Sequence, residues 1–287
     1  NEARIMVDLE PLETPDGEEF FVQPSPLGAF GGTGNNPPNN EPPAPKHFKA
    51  ILQSEPERED YWKNYVSRAE SYEAKTIYEL QAMYLAQKED TLNRFNANPS
   101  KDMVLLDVRT AKRQYTEAMT PILTQVVSGA IKNGQDLLTP PNPHKDAGEV
   151  TPSLPLTALK WLKTRISWAA DQIGEESASR LSQVLAQGYE AGLSMDKIAA
   201  AISAEFDYFS DMRASRIART EIMSASGFGA VEGYKQSGVE KIQIYAAHDE
   251  RECPLCNTLD GQIHGIDDGY MIPFHVNCRC VLLPVVE

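Results

Sequence analysis

All four cysteines of this 287-residue chain lie between positions 253 and 280. Their order is Cys253-x2-Cys256-x18-His275-x2-Cys278-x-Cys280. A C-x2-C knuckle followed about twenty residues later by a second ligand pair is the arithmetic of a structural zinc site. Two residues between ligands let one tight turn aim both sulfurs at a point, and a second turn completes a tetrahedron. Pro254 stiffens the first turn. The region has little apolar surface of its own, and zinc with about 10–16 kcal/mol of apparent binding energy would tie it down. Five candidates compete for four places: Cys253, Cys256 and Cys278 take three, and His275 and Cys280 contest the fourth. His264 and His248 stand further out. Other readings of the same residues stay open: disulfides in an oxidising compartment, plain buried thiols, or a catalytic metal with an open position beside Asp249 or Asp260.

Ahead of this corner, RASRIARTE places Arg213, Arg216 and Arg219 at i, i+3 and i+6, along one side of a helix. A solvated face with ordinary surface pairs is one reading. A second has Arg219 and Glu221 pinning the helix to the cysteine corner through charge-assisted hydrogen bonds to Asp249 or Arg279. A third makes the arginines a small anion site for a phosphate backbone.

The elements that must position these groups are mainly helical. Ser54-Glu55-Pro56-Glu57 is a capping box with proline in the first turn. Trp62, Val66, Ala69, Ile77, Leu80 and Tyr84 then recur at helical spacing, and Asn98-Pro99 stops the helix near Phe95. Ser100 is expected to open a second helix. Thr120-Pro121 should break it and cap another, which Asn133-Gly134 should end. From Leu156 to Gly238 the pattern is helical, with interruptions expected at Gly174, Gly192 and Phe209-Ser210. Ser194 and Ser210 are expected N-caps and Gly238 a C-cap. The period then changes to 2 at Ile242, Ile244 and Ala246, Asp260-Gly261 signals a tight turn, and Val281-Leu282-Leu283 reads as a last buried strand. The expected fold class is α+β, mainly α: a helical body followed by a small turn-rich β element with a zinc knuckle. Residues 24–48 hold the proline, glycine and asparagine-rich run of a linker, and 139–155 form a second proline-rich connection. They divide the chain into a stub at 1–23, a helical region at 49–138 and a C-terminal domain at 156–287.

The formal net charge is −14. Residues 1–60 carry 12 Asp/Glu and 4 Lys/Arg, so −8 of that total is N-terminal. Such a chain has no broad pull toward nucleic acid, and any DNA contact would need a local basic patch. No apolar run approaches the ~20 residues of a membrane span, and no signal peptide is visible.

Arg219-Thr220-Glu221, Tyr234, Gly238, Asp249 with Arg251, Leu259-Asp260-Gly261, and Asn277-Cys278-Arg279-Cys280 with Pro284 together resemble the phage head morphogenesis family, the Mu F-like minor head proteins of tailed phages and prophages. The resemblance covers about residues 155–287. It implies that Arg219, Thr220, Glu221, Asp249, Asp260, Gly261, Asn277, Cys278 and Arg279 fall on the family's motif positions. It further implies a minor procapsid component located in the virion, or in the host cytoplasm during assembly, with the portal protein or inner capsid as partner. Many members of the family have other polar residues in place of the first cysteine pair. The metal would then be a staple of a subgroup and not the shared chemistry. The opening NEAR, with Leu9, Pro11, Leu12, Gly17 and Glu18, resembles more weakly the C-terminal end of a phage portal protein, and with Asn1 in first place it suggests a fragment of a portal fusion.

Two functions follow as expectations. The first is a virion assembly protein that works by binding, with helices over 49–134 as partner surfaces and the C-terminal domain docking at the portal or inner capsid. The second is a metal-dependent nuclease or transferase of phage DNA delivery, in which Glu221, Asp249 and Asp260 would converge near the metal. The chain shows no recognisable nucleophile–base pair or phosphate loop. A host-derived zinc-ribbon interaction module is a blander third option.

Overall fold

The computed structural model describes residues 52, 54–138, 154–247 and 253–286. The expected stub at 1–23, the linker at 24–48, most of the connection at 139–155, and His248, Asp249 and Arg251 lie outside the described residues.

Helix α1 (Glu55–Ala97) begins at the expected capping box. The Glu57 carboxylate accepts from the Ser54 N–H at 3.0 Å and from its hydroxyl at 2.9 Å. Trp62, Val66, Ala69, Leu80 and Tyr84 form its buried stripe, as their spacing predicts, and Glu73 lies within that stripe. Ser100 does not open the second helix. It accepts the Met103 N–H in a turn, and helix α2 (Val108–Leu138) starts after Asp107. The Asp107 carboxylate takes the Thr110 N–H and hydroxyl at 3.0 and 2.8 Å, the work of an N-cap.

Helix α2 also runs through both of its expected breaks. Pro121 lies inside it. Proline costs one backbone bond there, and the burial of Met119, Ile122, Leu123, Val126 and Val127 carries the helix past that loss. Asn133-Gly134 does not end it either. Gly134 is a packing glycine: a Cβ there would stand 2.9 Å from the Ala230 carbonyl oxygen of the helix across. Gly233 on that facing helix is closer still, with a Cβ position 2.4 Å from the Ile131 oxygen. The two backbones meet where side chains are missing.

Helix α3 (Leu156–Glu190) passes through Gly174 without interruption. Gly192, at φ +62°, is a true break, and Ser194 holds the expected N-cap position of α4 (Met195–Tyr208), although its side chain makes no capping hydrogen bond. Phe209–Arg213 then form one π-helical turn that leads into α5 (Ala214–Gln236). Ser210 therefore caps nothing; it sits inside that turn. Gly238, at φ +85°, ends α5 as expected. Helix α5 is rich in Ala, Ser and Gly and is buried over most of its length, which makes it the axis of the helical body.

The sheet has three antiparallel strands in the order β2-β1-β3, with β1 (Lys241–Tyr245) in the middle, β2 (Ile263–Gly265) and β3 (Val281–Val285). Ile242 faces Pro284 and His264, and Tyr245 faces Val281. Pro284 is tolerated because β3 is an edge strand. A short helix α6 (Pro254–Leu259) lies between β1 and β2. The mainly helical α+β reading holds, and buried residues from Trp62 to Leu283 form one core cluster. Tyr61 donates to Tyr234 at 2.8 Å, and Tyr234 donates to the Leu282 carbonyl at 3.1 Å, so α1, α5 and β3 are tied in series. No helix among the described residues is long and apolar enough to cross a membrane.

Candidate metal centre

The first knuckle is built on α6. Cys253 is its N-cap, Pro254 occupies the first turn, and the Cys256 N–H donates to the Cys253 sulfur at 3.3 Å. The turn after α6 anchors the knuckle to the sheet. The Asp260 carboxylate accepts the Ala246 N–H at 2.8 Å, and the Gly261 N–H donates to the Ile244 carbonyl at 2.8 Å. Gly261 supplies the positive φ of +76° that the turn requires.

The second knuckle is the His275–Cys278 turn, closed by the Cys278 N–H donating to the His275 carbonyl at 3.2 Å. His275 Nδ1 lies 2.7 Å from the Val276 carbonyl oxygen. A carbonyl only accepts, so Nδ1 carries the proton and Nε2 is the nitrogen left for a ligand. That nitrogen lies 3.1 Å from the Cys253 sulfur and 3.0 Å from the Cys256 sulfur, and Cys256 Sγ stands 3.9 Å from Cys278 Sγ. Edges of a zinc tetrahedron with sulfur and nitrogen ligands are about 3.5–3.8 Å. Two overlapping sets could hold a metal: Cys253, Cys256 and His275, and Cys256, Cys278 and Cys280. Cys256 belongs to both. His264 belongs to neither; its ring stacks on Tyr270 at 3.7 Å.

Crowded sulfurs perturb one another. Hydrogen bonds from the Cys256 and Cys280 thiols, and then from His275, hold Cys278 well below the usual thiol range. The bond to Cys278 pushes His275 up to about 9 against the opposing effect of burial. Hydrogen bonds to Cys278 and Cys280, with burial, push Cys256 up. Cys280 is drawn down by its bond to Cys256, but Cys278 and burial outweigh that and raise it. Metal binding would displace these shared protons.

The chain between the second knuckle and β3 alternates its side chains. Cys278 and Cys280 join the sulfur cluster, while Asn277 and Arg279 hold the helices. Asn277, at φ +65°, accepts from Arg219 Nη1 at 2.8 Å. The Arg279 guanidinium meets the Glu73 carboxylate of α1 at 2.6 and 2.9 Å, and its carbonyl accepts from Trp62 Nε1 at 2.7 Å. Arg219 Nε stands 3.6 Å from the same Glu73.

Arg219 thus pins α5 to the cysteine corner, through Asn277. Glu221 does not reach Arg279. It forms a buried two-pronged pair with Arg165 of α3 at 2.9 and 2.7 Å, because its place on α5 faces that helix. Arg213 departs from the expected row of arginines. It belongs to the π turn, before the regular register of α5 begins, and it is fully buried. Thr220 is also buried. Sequence reasoning missed Glu73 and Arg165. A signal existed for Glu73, since a carboxylate in register with Val66, Ala69 and Leu80 cannot face water.

Residues 179–283 match the family model described as Phage Mu protein F like protein. The uncharacterized protein YqbB of Bacillus subtilis (strain 168) is 25% identical over 196 residues, covering 61% of this chain. The chain spans 62% of the length of that relative. No solved structure matches the chain significantly. The matched segment contains all five candidate ligands, Arg219, Thr220, Glu221, Asn277 and Arg279, while Glu73 and Arg165, which neutralise its buried charges, lie before it. Over residues 179–283 the chain therefore matches the phage Mu protein F-like family, as the resemblance in its motifs implies.

Proposed function

We propose that this chain is a phage or prophage head morphogenesis protein that acts by binding at the portal vertex during procapsid assembly, with a structural zinc ion in its C-terminal part. The observation that carries the reading is the Mu F-like match over residues 179–283. In this reading the helices over 49–138 offer partner surfaces, residues 156–287 form the head morphogenesis domain, and residues 24–48 act as a linker. The protein works within the virion or its precursor.

Cys253, Cys256, His275 and Cys278 would hold the zinc, with Cys280 as the competing fourth sulfur. A thiolate-rich set with its histidine oriented by a backbone carbonyl favours a closed structural site. When bound, the ion supplies cross-linking between two loops and no reaction step. The disposition of the acids supports the same role. Glu221 is committed to Arg165, and Asp260 holds the Ala246 N–H. A nuclease or transferase would need such acids to face the metal.

The test is co-expression of the full chain with the portal protein of the same phage or prophage, followed by affinity purification and mass spectrometry of purified virions. Co-purification in fixed ratio and presence in virions are expected. A chain that elutes alone and is missing from virions and procapsids contradicts the assignment.

A further inference from the structure

Arg213 heads the largest fully buried side chains of the molecule. The π turn that it closes aims it into the helical body, where Nη1 donates to Ser177 Oγ of α3 at 2.7 Å. Ser177 spends its own proton on the Ile173 carbonyl, also at 2.7 Å. Arg213 Nε and Nη2 meet no acceptor, and neither does the buried hydroxyl of Tyr84 on α1. Tyr84 packs on the same Phe209 ring that Arg213 covers, with its ring centroid 5.5 Å from that of Phe209.

A guanidinium cannot shed its proton, so its burial demands a compensating charge. The other deeply buried arginines have one: Glu221 for Arg165, and Glu73 for Arg279. Arg213 has no carboxylate partner among the described residues. The Phe209 ring, 5.2 Å from its Cζ, offsets the charge only in part. The orphan positions around it are hydrogen-bond donors. Water could accept from them but would leave the charge in place. Phe209 lies against it, Tyr84 and Phe206 pack on Phe209, and all three are fully buried, an enclosure too dry for a multiply charged oxyanion.

We propose that Arg213, held in place by Ser177, and the Tyr84 hydroxyl bind a small monovalent anion of the halide class between α1, α3 and the π turn.

The experiment uses the full chain with chloride as the probe. Melting temperature is followed at constant ionic strength while sodium gluconate is replaced by sodium chloride, together with excess line broadening of the chloride-35 resonance. A saturable rise in melting temperature and excess broadening are expected, and Arg213→Met should remove both. Tyr84→Phe keeps the charge but deletes one donor, and should raise the half-saturating chloride concentration about tenfold. Should Arg213→Met fail to fold, Tyr84→Phe decides the matter. Equal stabilisation by gluconate, absence of excess broadening, or an unchanged midpoint in Tyr84→Phe overturns the proposal.

Discussion

Glu73 and Arg279, 206 residues apart, form a two-pronged ion pair in which both carboxylate oxygens meet the guanidinium at 2.6 and 2.9 Å. Glu73 is 6% exposed and Arg279 2%, so neither partner has water as an alternative. The relationship joins the first described helix to the strand-side residue between two candidate metal ligands. Breaking one side of such a pair leaves the other charge buried and alone. Glu73→Ala should destabilise the protein by about 3–5 kcal/mol in urea unfolding. The double variant Glu73→Leu with Arg279→Met should recover most of that loss. A single variant with unchanged stability would show the pair to be incidental.

Trp62 should report the state of the candidate metal centre. Its indole donates to the Arg279 carbonyl, and Arg279 stands between Cys278 and Cys280. With Trp161 and Trp168 replaced by Phe, chelation of zinc should shift Trp62 emission to longer wavelength as the indole loses its buried acceptor. Emission that stays fixed while the metal leaves would mean that the knuckles and α1 are independent.

Gly233→Ala tests the close crossing of α2 and α5. The added methyl would stand 2.4 Å from the Ile131 carbonyl oxygen, which is backbone and cannot rotate away. A loss of about 1–3 kcal/mol is expected, whereas Gly192→Ala should act through its positive φ instead. A Gly233→Ala protein as stable as the parent would contradict the helix crossing.

The cap of α2 should be sensitive to acid. Hydrogen bonds from the Thr110 side chain and backbone lower the pKa of Asp107 below its ordinary value. A group depressed by folding stabilises the folded state above its unfolded pKa and loses that effect as pH falls through its folded one. Asp107→Asn keeps an N-cap but has no proton to gain. The stability difference between parent and variant should therefore shrink below about pH 4. A difference independent of pH between 2 and 6 would assign the cap to another group.

What was legible in the sequence follows from range. The capping box at Ser54, the buried stripe of α1, the Gly238 cap and the Ile242–Ile244 strand are local patterns, and they stand where their residues place them. The errors arise where tertiary packing overrides local signals. Pro121 and Gly134 read as breaks in isolation, yet one is carried by a buried face and the other serves a helix crossing. The spacing of the cysteines points to residues that the fold gathers into two overlapping sets sharing Cys256. The partners of the charged motif residues come from distant helices, so Glu221 with Arg165 and Arg279 with Glu73 had no local signature beyond an acid in an apolar stripe.

The most direct test of the central claim is elemental analysis of the purified full chain, combined with metal-edge X-ray absorption and repeated on the Cys253→Ser, Cys256→Ser double variant. One zinc per chain is predicted, with sulfur neighbours at about 2.3 Å and a nitrogen at about 2.0–2.1 Å, and the double variant should lose both the metal and melting temperature. A parent chain without stoichiometric metal, or a double variant that retains it, would contradict the staple between the two knuckles.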